Sequence, residues 1–209
     1  MSRDLVIGID CSTTASKAVV WDRTGKAVAT GRRTYGLDHV QSGWVEQNAE
    51  DWWTATSAAL ADAVKQVQAD RIAAVAITHQ RETFVCLDAA GKPLRPGITW
   101  MDIRATAEVQ EHGSDDVHRI TGKPPNPTPA WYKLLWLRKH EPAVMDAARM
   151  LMLTKDYVRL ALTGEVATEP SDAGGTQLLD VATGRWDPAI CAAAGWDPNR
   201  KIDFLYYYN

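Results

Sequence analysis

Leu5-Val6-Ile7-Gly8-Ile9-Asp10-Cys11-Ser12-Thr13-Thr14-Ala15-Ser16-Lys17-Ala18-Val19-Val20-Trp21 is the stretch on which the fold turns. Its two ends are apolar and rich in β-branched residues, and its middle is a turn of hydroxyls and small side chains. It reads as a β-hairpin. The tip offers several backbone N–H groups and Ser/Thr hydroxyls to one anion, the donor cluster that a phosphate needs. Asp10, closing the first strand, adds a carboxylate for Mg²⁺ or a water bound to it. Lys17, opening the second, adds a point positive charge. A Walker-type loop runs into a helix, and this turn does not. Asp-x-x-Thr-x-x-x-Lys is nevertheless short enough to arise in any polar hairpin, so the weight falls on the flanking chain.

Working outward, Asp22 to Lys26 is a second turn and Ala27 to Tyr35 a third strand, giving an antiparallel meander. A Gly-rich link holds Gly43-Trp44-Val45-Glu46-Gln47. Asn48 and Asp51 form a capping pair for a helix with Trp52, Thr56, Leu60, Ala63, Val64 and Val67 at helical spacing. Arg71 to Thr78 is a short apolar run that reads as a buried strand parallel to the first. Meander, helix and parallel strand open a ribonuclease-H-like layer, the unit used twice in actin-like ATPases. The expected class is therefore α/β, with a mixed sheet, flanking helices and an insertion before a strand near Leu151.

His79-Gln80-Arg81-Glu82 stands at the exit of the parallel strand, where open α/β sheets gather ligands. The alternative is a solvated turn with an Arg–Glu pair, and for His79 within the cluster a structural histidine. Pro96 to Arg104 carries Trp100, Asp102 and Arg104 at alternate positions. In a strand they share one side. A flat ring beside charged groups suits a sugar, stacking on its C–H face while the charges bond its hydroxyls. The competing reading is a helix start at Asp102 with Trp100 as its staple. Further on, Ala130 to His140 is a helix, Leu151 to Leu153 a strand, and Thr154 caps a helix closed by Gly164. Ser171 to Thr176 is a small-residue loop before a strand from Gln177 to Val181.

A chain of 209 residues, 45% hydrophobic and 23% charged, is long enough to bury a real core as one large domain or two small ones. A net charge of −3 without a basic run argues against nucleic acid and anionic membrane as partners. Cys11, Cys86 and Cys191 have no disulfide or zinc spacing, which suits reduced thiols and a cytoplasmic location. No signal peptide or membrane-length apolar run is present.

Taken together, Ile9-Asp10-x-x-Thr13-Thr14-x-x-Lys17, Gly43 to Gln47, Gln80 to Thr83, Gly91 to Leu94 and Trp100-x-Asp102-x-Arg104 resemble the FGGY family of carbohydrate kinases. Leu134 to Arg138, Glu141-Pro142, Leu153 to Tyr157 and Ser171 to Gly175 extend the resemblance to about Pro198, making 1–198 an N-terminal actin-like domain. It implies ATP-dependent phosphorylation of a sugar or polyol. Asp10 would organise Mg²⁺, Thr13 and Thr14 would hold nucleotide phosphates, and Lys17 would neutralise charge. Gln80, Arg81, Glu82, Trp100 and Asp102 would line the sugar site. Ser12 departs from the family's usual Gly. Thr128 stands where glycerol kinases carry a tyrosine, and the Leu134 to Arg138 helix looks xylulose-kinase-like, so a ketopentose such as xylulose is favoured. The family's catalytic base and adenosine site fall beyond residue 209. The ending 199–209 shows no family counterpart and reads as a truncated or frame-shifted tail. The chain alone is therefore expected to be inactive, with an uncovered interdomain face that promotes self-association into a homodimer. A non-catalytic sugar- or phosphate-binding module is the alternative.

Overall fold

The computed structural model describes residues 3–197. Strands β1 (Leu5–Cys11), β2 (Ala15–Trp21) and β3 (Ala27–Thr34) form the meander, with Ile7 opposite Val20 and Asp10 opposite Lys17. Next come β4 (Asp38–Gln41), β5 (Trp44–Gln47), helix α1 (Ala49–Val64) and β6 (Ile72–His79). Strand β6 pairs parallel to β1, setting Asp10 beside Thr78 and Cys11 beside His79. The sheet order is β3-β2-β1-β6. Because β1 and β6 run the same way, the hairpin tip and the segment after His79 leave the sheet at one edge.

Helix α1 starts where Asn48 Oδ1 accepts the Glu50 N–H at 3.2 Å. It buries Trp52, Ala55, Thr56, Ala59 and Ala63, the three-to-four spacing of an apolar face. That face lies on the sheet with Leu5, Ile7, Ile9, Ala18 and Val20 beneath it. The approach is close enough that a Cβ at Gly31 would stand 2.0 Å from the Ala59 carbonyl oxygen.

A second, antiparallel sheet, in the order β4-β5-β8-β7-β9, is built from β7 (Phe84–Leu87), β8 (Gly97–Ile98) and β9 (Met150–Leu153). Between β8 and β9 lie α2 (Thr106–His112), α3 (Asp115–Thr121), α4 (Ala130–His140) and α5 (Pro142–Ala147). After β9 come α6 (Thr154–Thr163), α7 (Pro170–Ala173), β10 (Leu179–Asp180), β11 (Arg185–Trp186) and α8 (Pro188–Ala193). Helix α4 is the centre of the larger core, burying Trp131, Tyr132, Leu134, Leu135, Trp136 and Leu137. Cys11, Trp52, Val85, Leu87, Met152 and Val158 join the two sheets in one apolar cluster.

The α/β class with a mixed sheet and an insertion before β9 holds. Several local readings change. The Gly43–Gln47 link is the second strand of a β4–β5 hairpin that starts the other sheet. Strand β6 is parallel as expected but not buried, with Val75 at 41% exposed. Its small apolar residues read as interior, yet among the described residues β1 is its only strand neighbour. Pro96 to Arg104 is neither a long strand nor a helix start at Asp102. Only Gly97–Ile98 is extended, the chain then turns, and α2 begins at Thr106. Thr154 does not cap α6; its hydroxyl lies 3.5 Å from the Thr83 carbonyl. Ser171 to Thr176 is a short helix and a single 3₁₀ turn. The 199–209 tail lies outside the described residues.

Candidate functional site

At the shared edge of β1 and β6 a cavity of about 340 Å³ is lined by Thr13, Gln80, Arg81, Glu82, Trp100 and Thr128. A larger groove of about 570 Å³ lies elsewhere, beside the open face of β6 and α6. The smaller one brings the hairpin turn and the polar strand exit into one wall. Trp100, half exposed, donates its indole N–H to Thr13 Oγ1 at 3.1 Å across that junction.

The turn is fixed from behind. Ser12 N–H bonds the Ala15 carbonyl at 2.9 Å, and the half-buried Tyr35 hydroxyl donates to the Ser12 carbonyl. Gln47, fully buried, donates its amide to the carbonyls of Thr13 at 2.6 Å and Gly36 at 2.9 Å. Asp10 Oδ2 accepts the Ser12 hydroxyl at 2.6 Å. Asp10, Thr14 and Lys17 are exposed around the turn and Thr13 is partly so, none of them in the core. Among the described residues no group of three His, Cys, Asp or Glu side chains is placed to hold a metal ion. A single carboxylate beside a hydroxyl fits Mg²⁺ held chiefly by water and substrate phosphates.

On the opposite wall Glu82 is the informative residue. Its φ of +67° is left-handed, a conformation that costs a non-glycine residue about 1–3 kcal/mol and persists where surroundings enforce it. Oε1 is ion-paired with Lys123, while Oε2 is buried without a partner among the described residues. That free acceptor sits in a residue lining the cavity. Arg81 is anchored by its Nε–H to Asp172 Oδ1 at 3.3 Å and by Nη2–H to the Ser171 carbonyl at 3.0 Å. Its side chain stays 61% exposed, so the guanidinium remains accessible. Asp172 also accepts from His79 Nε2 at 2.6 Å and pairs with Lys155 at 3.2 Å. Burial alone would raise the Asp172 carboxyl; the His79 hydrogen bond and the His79 and Lys155 charges outweigh it and hold it well below the carboxylate range. His79 is thus buried behind the wall as a brace for Asp172.

Asp102 is corrected. It is fully buried and away from the cavity. Oδ2 accepts the Val45 N–H at 2.7 Å and Arg104 Nη2–H at 2.7 Å. Oδ1 accepts Arg104 Nε–H at 2.9 Å and its backbone N–H at 3.0 Å. The Arg104 guanidinium is equally buried, 4.2 Å from the Trp44 ring centroid, and also holds Glu46 at 2.6 Å. Asp102 and Arg104 thus form a structural ion cluster joining α2's approach to β5. The turn after Ile98 sends Trp100 to the cavity and Asp102 into the core, so alternation did not apply.

Several residues escaped the sequence reading. Gln47 and Asp172 lie in motifs that carried the resemblance but had no assigned role. Lys123 left no signal. Lys133 left one: a lysine inside the apolar run of α4. Its ammonium donates to the carbonyls of Thr99 at 2.8 Å and Thr128 at 2.7 Å, tying together the segments that carry Trp100 and the far wall. Burial pushes its pKa down to about 7, against the opposing pull of Asp102 and Glu82.

With this geometry in view, the family model for the FGGY family of carbohydrate kinases, N-terminal domain, matches residues 5–205. The chain belongs to the FGGY family of carbohydrate kinases. The match reaches past Pro198 into the segment where no counterpart was expected. The xylulose kinase of Bacillus subtilis (strain 168) is 36% identical over 195 residues, covering 91% of this chain and 39% of that protein. The glycerol kinase of Nocardia farcinica (strain IFM 10152) is 34% identical over 207 residues, covering 94% and 42%. The solved gluconate kinase of Lactobacillus acidophilus superposes with a TM-score of 0.91 at 29% identity, over 96% of this chain and 42% of that one. The chain therefore spans about two-fifths of the length of the FGGY relatives it matches. No helix among the described residues is long and apolar enough to cross a membrane.

Proposed function

We propose that this chain supplies the phosphate turn and the sugar wall of a cytoplasmic, ATP-dependent kinase acting on a hydroxyl of a sugar or polyol, with a ketopentose such as xylulose favoured. The observation that carries the reading is the cavity shared by Thr13 and the Gln80–Glu82 exit, closed by Trp100.

Phosphoryl transfer is chiefly positioning and charge stabilisation, and the residues divide along those lines. The Trp100 ring stacks on the sugar's C–H face. Glu82 Oε2, the unsatisfied acceptor, accepts a hydrogen bond from a sugar hydroxyl, and the Arg81 guanidinium donates to hydroxyl oxygens. The Thr13 and Thr14 hydroxyls and turn N–H groups face the nucleotide phosphates, and Lys17 offsets their charge. Asp10 would hold Mg²⁺ through its water shell; when bound, that ion neutralises phosphate charge. Glu82 is committed to Lys123 and to substrate, and Asp102 is buried in its ion cluster, so neither serves as general base. The 209-residue chain alone accordingly binds sugar without rapid turnover.

The test is ADP release with Mg-ATP and a panel of ketoses, polyols and gluconate, for this chain alone and with the remaining part of an FGGY relative added in trans. Asp10→Asn should depress turnover in the complemented system and leave sugar affinity intact. Sugar binding without ADP release in either arm would favour a non-catalytic binding module.

A further inference from the structure

Five residues close a hydrogen-bonded ring that passes through both halves of the cavity. Gln47 Nε2 donates to the Thr13 carbonyl at 2.6 Å, and Gln80 Nε2 donates to Gln47 Oε1 at 2.6 Å. Thr83 Oγ1 donates to Gln80 Oε1 at 3.2 Å and accepts the Trp100 backbone N–H at 3.0 Å. The Trp100 indole N–H then returns to Thr13 Oγ1 at 3.1 Å. The donor inventory leaves one arrangement. Gln47 faces two carbonyls, Thr13 and Gly36, so its NH₂ must point there. Its oxygen therefore accepts from Trp52 Nε1–H at 3.1 Å, a donor-only group, and from Gln80. All four bonding positions of the Gln47 amide are used. Gln80 must then turn its NH₂ to Gln47 and its oxygen to Thr83. One Gln80 N–H is left over, in a residue that lines the cavity together with Glu82.

We infer that Gln47 is a positioning residue that ties the sugar wall to the phosphate turn, so that a sugar held at Gln80 and Trp100 also sets the turn at Thr13. The inference rests on the kinase reading above and deepens it, since it gives the two substrates of one site a shared, buried brace. The buried section, Gln47, Gln80 and Thr83, is at most 6% exposed, where amide orientations are costly to reverse. The exposed section is the single Trp100–Thr13 bond, which a bound sugar lies against.

The ring can be cut at either section. Trp100→Phe removes one N–H, keeps the ring stacking surface and changes a half-exposed position, so folding is not at risk. Gln47→Met keeps the volume and removes all four amide bonds. The readout is the ¹H–¹⁵N spectrum of the protein titrated with D-xylulose and, in parallel, with glycerol and gluconate. In the unaltered protein the bound sugar shifts the Gln80 side-chain amide and also the backbone amides of Thr13 and Thr14. In Trp100→Phe the Gln80 shift persists and so do the Thr13 and Thr14 shifts, because the Gln47 link from Gln80 to the Thr13 carbonyl is intact. Gln47→Met, and Gln47→Glu as a second variant that keeps only the side-chain oxygens, retain the Gln80 shift and lose the Thr13 and Thr14 shifts; adding Trp100→Phe removes whatever coupling the second path through Trp100 still carries. Thr13 and Thr14 shifts that survive in a folded Gln47 variant overturn the inference while leaving the kinase reading standing. A protein in which no sugar of the panel shifts Gln80 overturns that reading and the inference with it.

Discussion

Replacing Asp102 by alanine separates a structural carboxylate from a sugar-binding one. The substitution deletes acceptors for the Val45 N–H and for three N–H groups of Arg104, all at 3.0 Å or less. It leaves the Arg104 guanidinium buried, with Glu46 as its remaining carboxylate partner at 2.6 Å. Breaking a buried, hydrogen-bonded ion pair by removing one partner costs about 3–5 kcal/mol. Against a typical total stability of about 5–15 kcal/mol, that is a large share. At a urea slope of about 2 kcal/mol/M the unfolding midpoint falls by roughly 2 M. The assay is urea unfolding followed by tryptophan fluorescence, paired with calorimetric sugar titration at low temperature, where the variant remains folded. The expected outcome is a large drop in midpoint with sugar affinity unchanged. A midpoint within about 0.3 M of the parent, which at that slope is only about 0.6 kcal/mol, together with lost sugar binding would refute the assignment and return Asp102 to the cavity wall.

Glu82→Ala removes the free acceptor and should weaken sugar binding by about 1.5–3 kcal/mol, the range for hydrogen bonds to charged groups, as read by calorimetry. Gly31→Ala forces a Cβ to 2.0 Å from the Ala59 carbonyl and should cost about 1–3 kcal/mol by pushing α1 off the sheet, visible as a lower melting temperature. Lys133 has its folded pKa lowered to about 7, so between pH 7 and about 10 the unfolded chain binds the extra proton. Its contribution to stability therefore rises with pH through that window, by at most about 1.4 kcal/mol per pH unit. Urea unfolding at pH 7, 8 and 9 should show that rise in the parent and its disappearance in Lys133→Met.

The architecture was legible wherever local pattern and tertiary pairing agree. The apolar, β-branched runs of β1 and β2, the Asn48 cap and the apolar spacing of α1 depend on neighbours close in sequence, and they held. The Thr13, Gln80, Arg81, Glu82 and Trp100 grouping was legible too, because parallel pairing of β1 with β6 brings their exits together whatever the details. What stayed hidden depends on distant chain. Asp102 faces inward because Val45 and Arg104 capture it, contacts that residue spacing does not encode. Lys133 is buried because two loop carbonyls, Thr99 and Thr128, need one cation. Strand β6 carries interior composition on a face that the described residues leave open, so composition misled about burial there. Glu82's left-handed backbone gave no sign at all, since nothing in the Gln80-Arg81-Glu82-Thr83 text calls for a glycine-like conformation.

The central claim is that the small cavity at the β1 and β6 exits, rather than the larger groove beside β6, receives the sugar. A crystal structure of the protein with D-xylulose and Mg-ATP tests it most directly. The account predicts sugar density against the Trp100 ring, with one hydroxyl on Glu82 Oε2 and another on Arg81, next to Thr13. Sugar density seated instead among Val75, Ile77, Lys155 and Arg159 in the larger groove, with the Trp100 cavity holding only solvent, would contradict it.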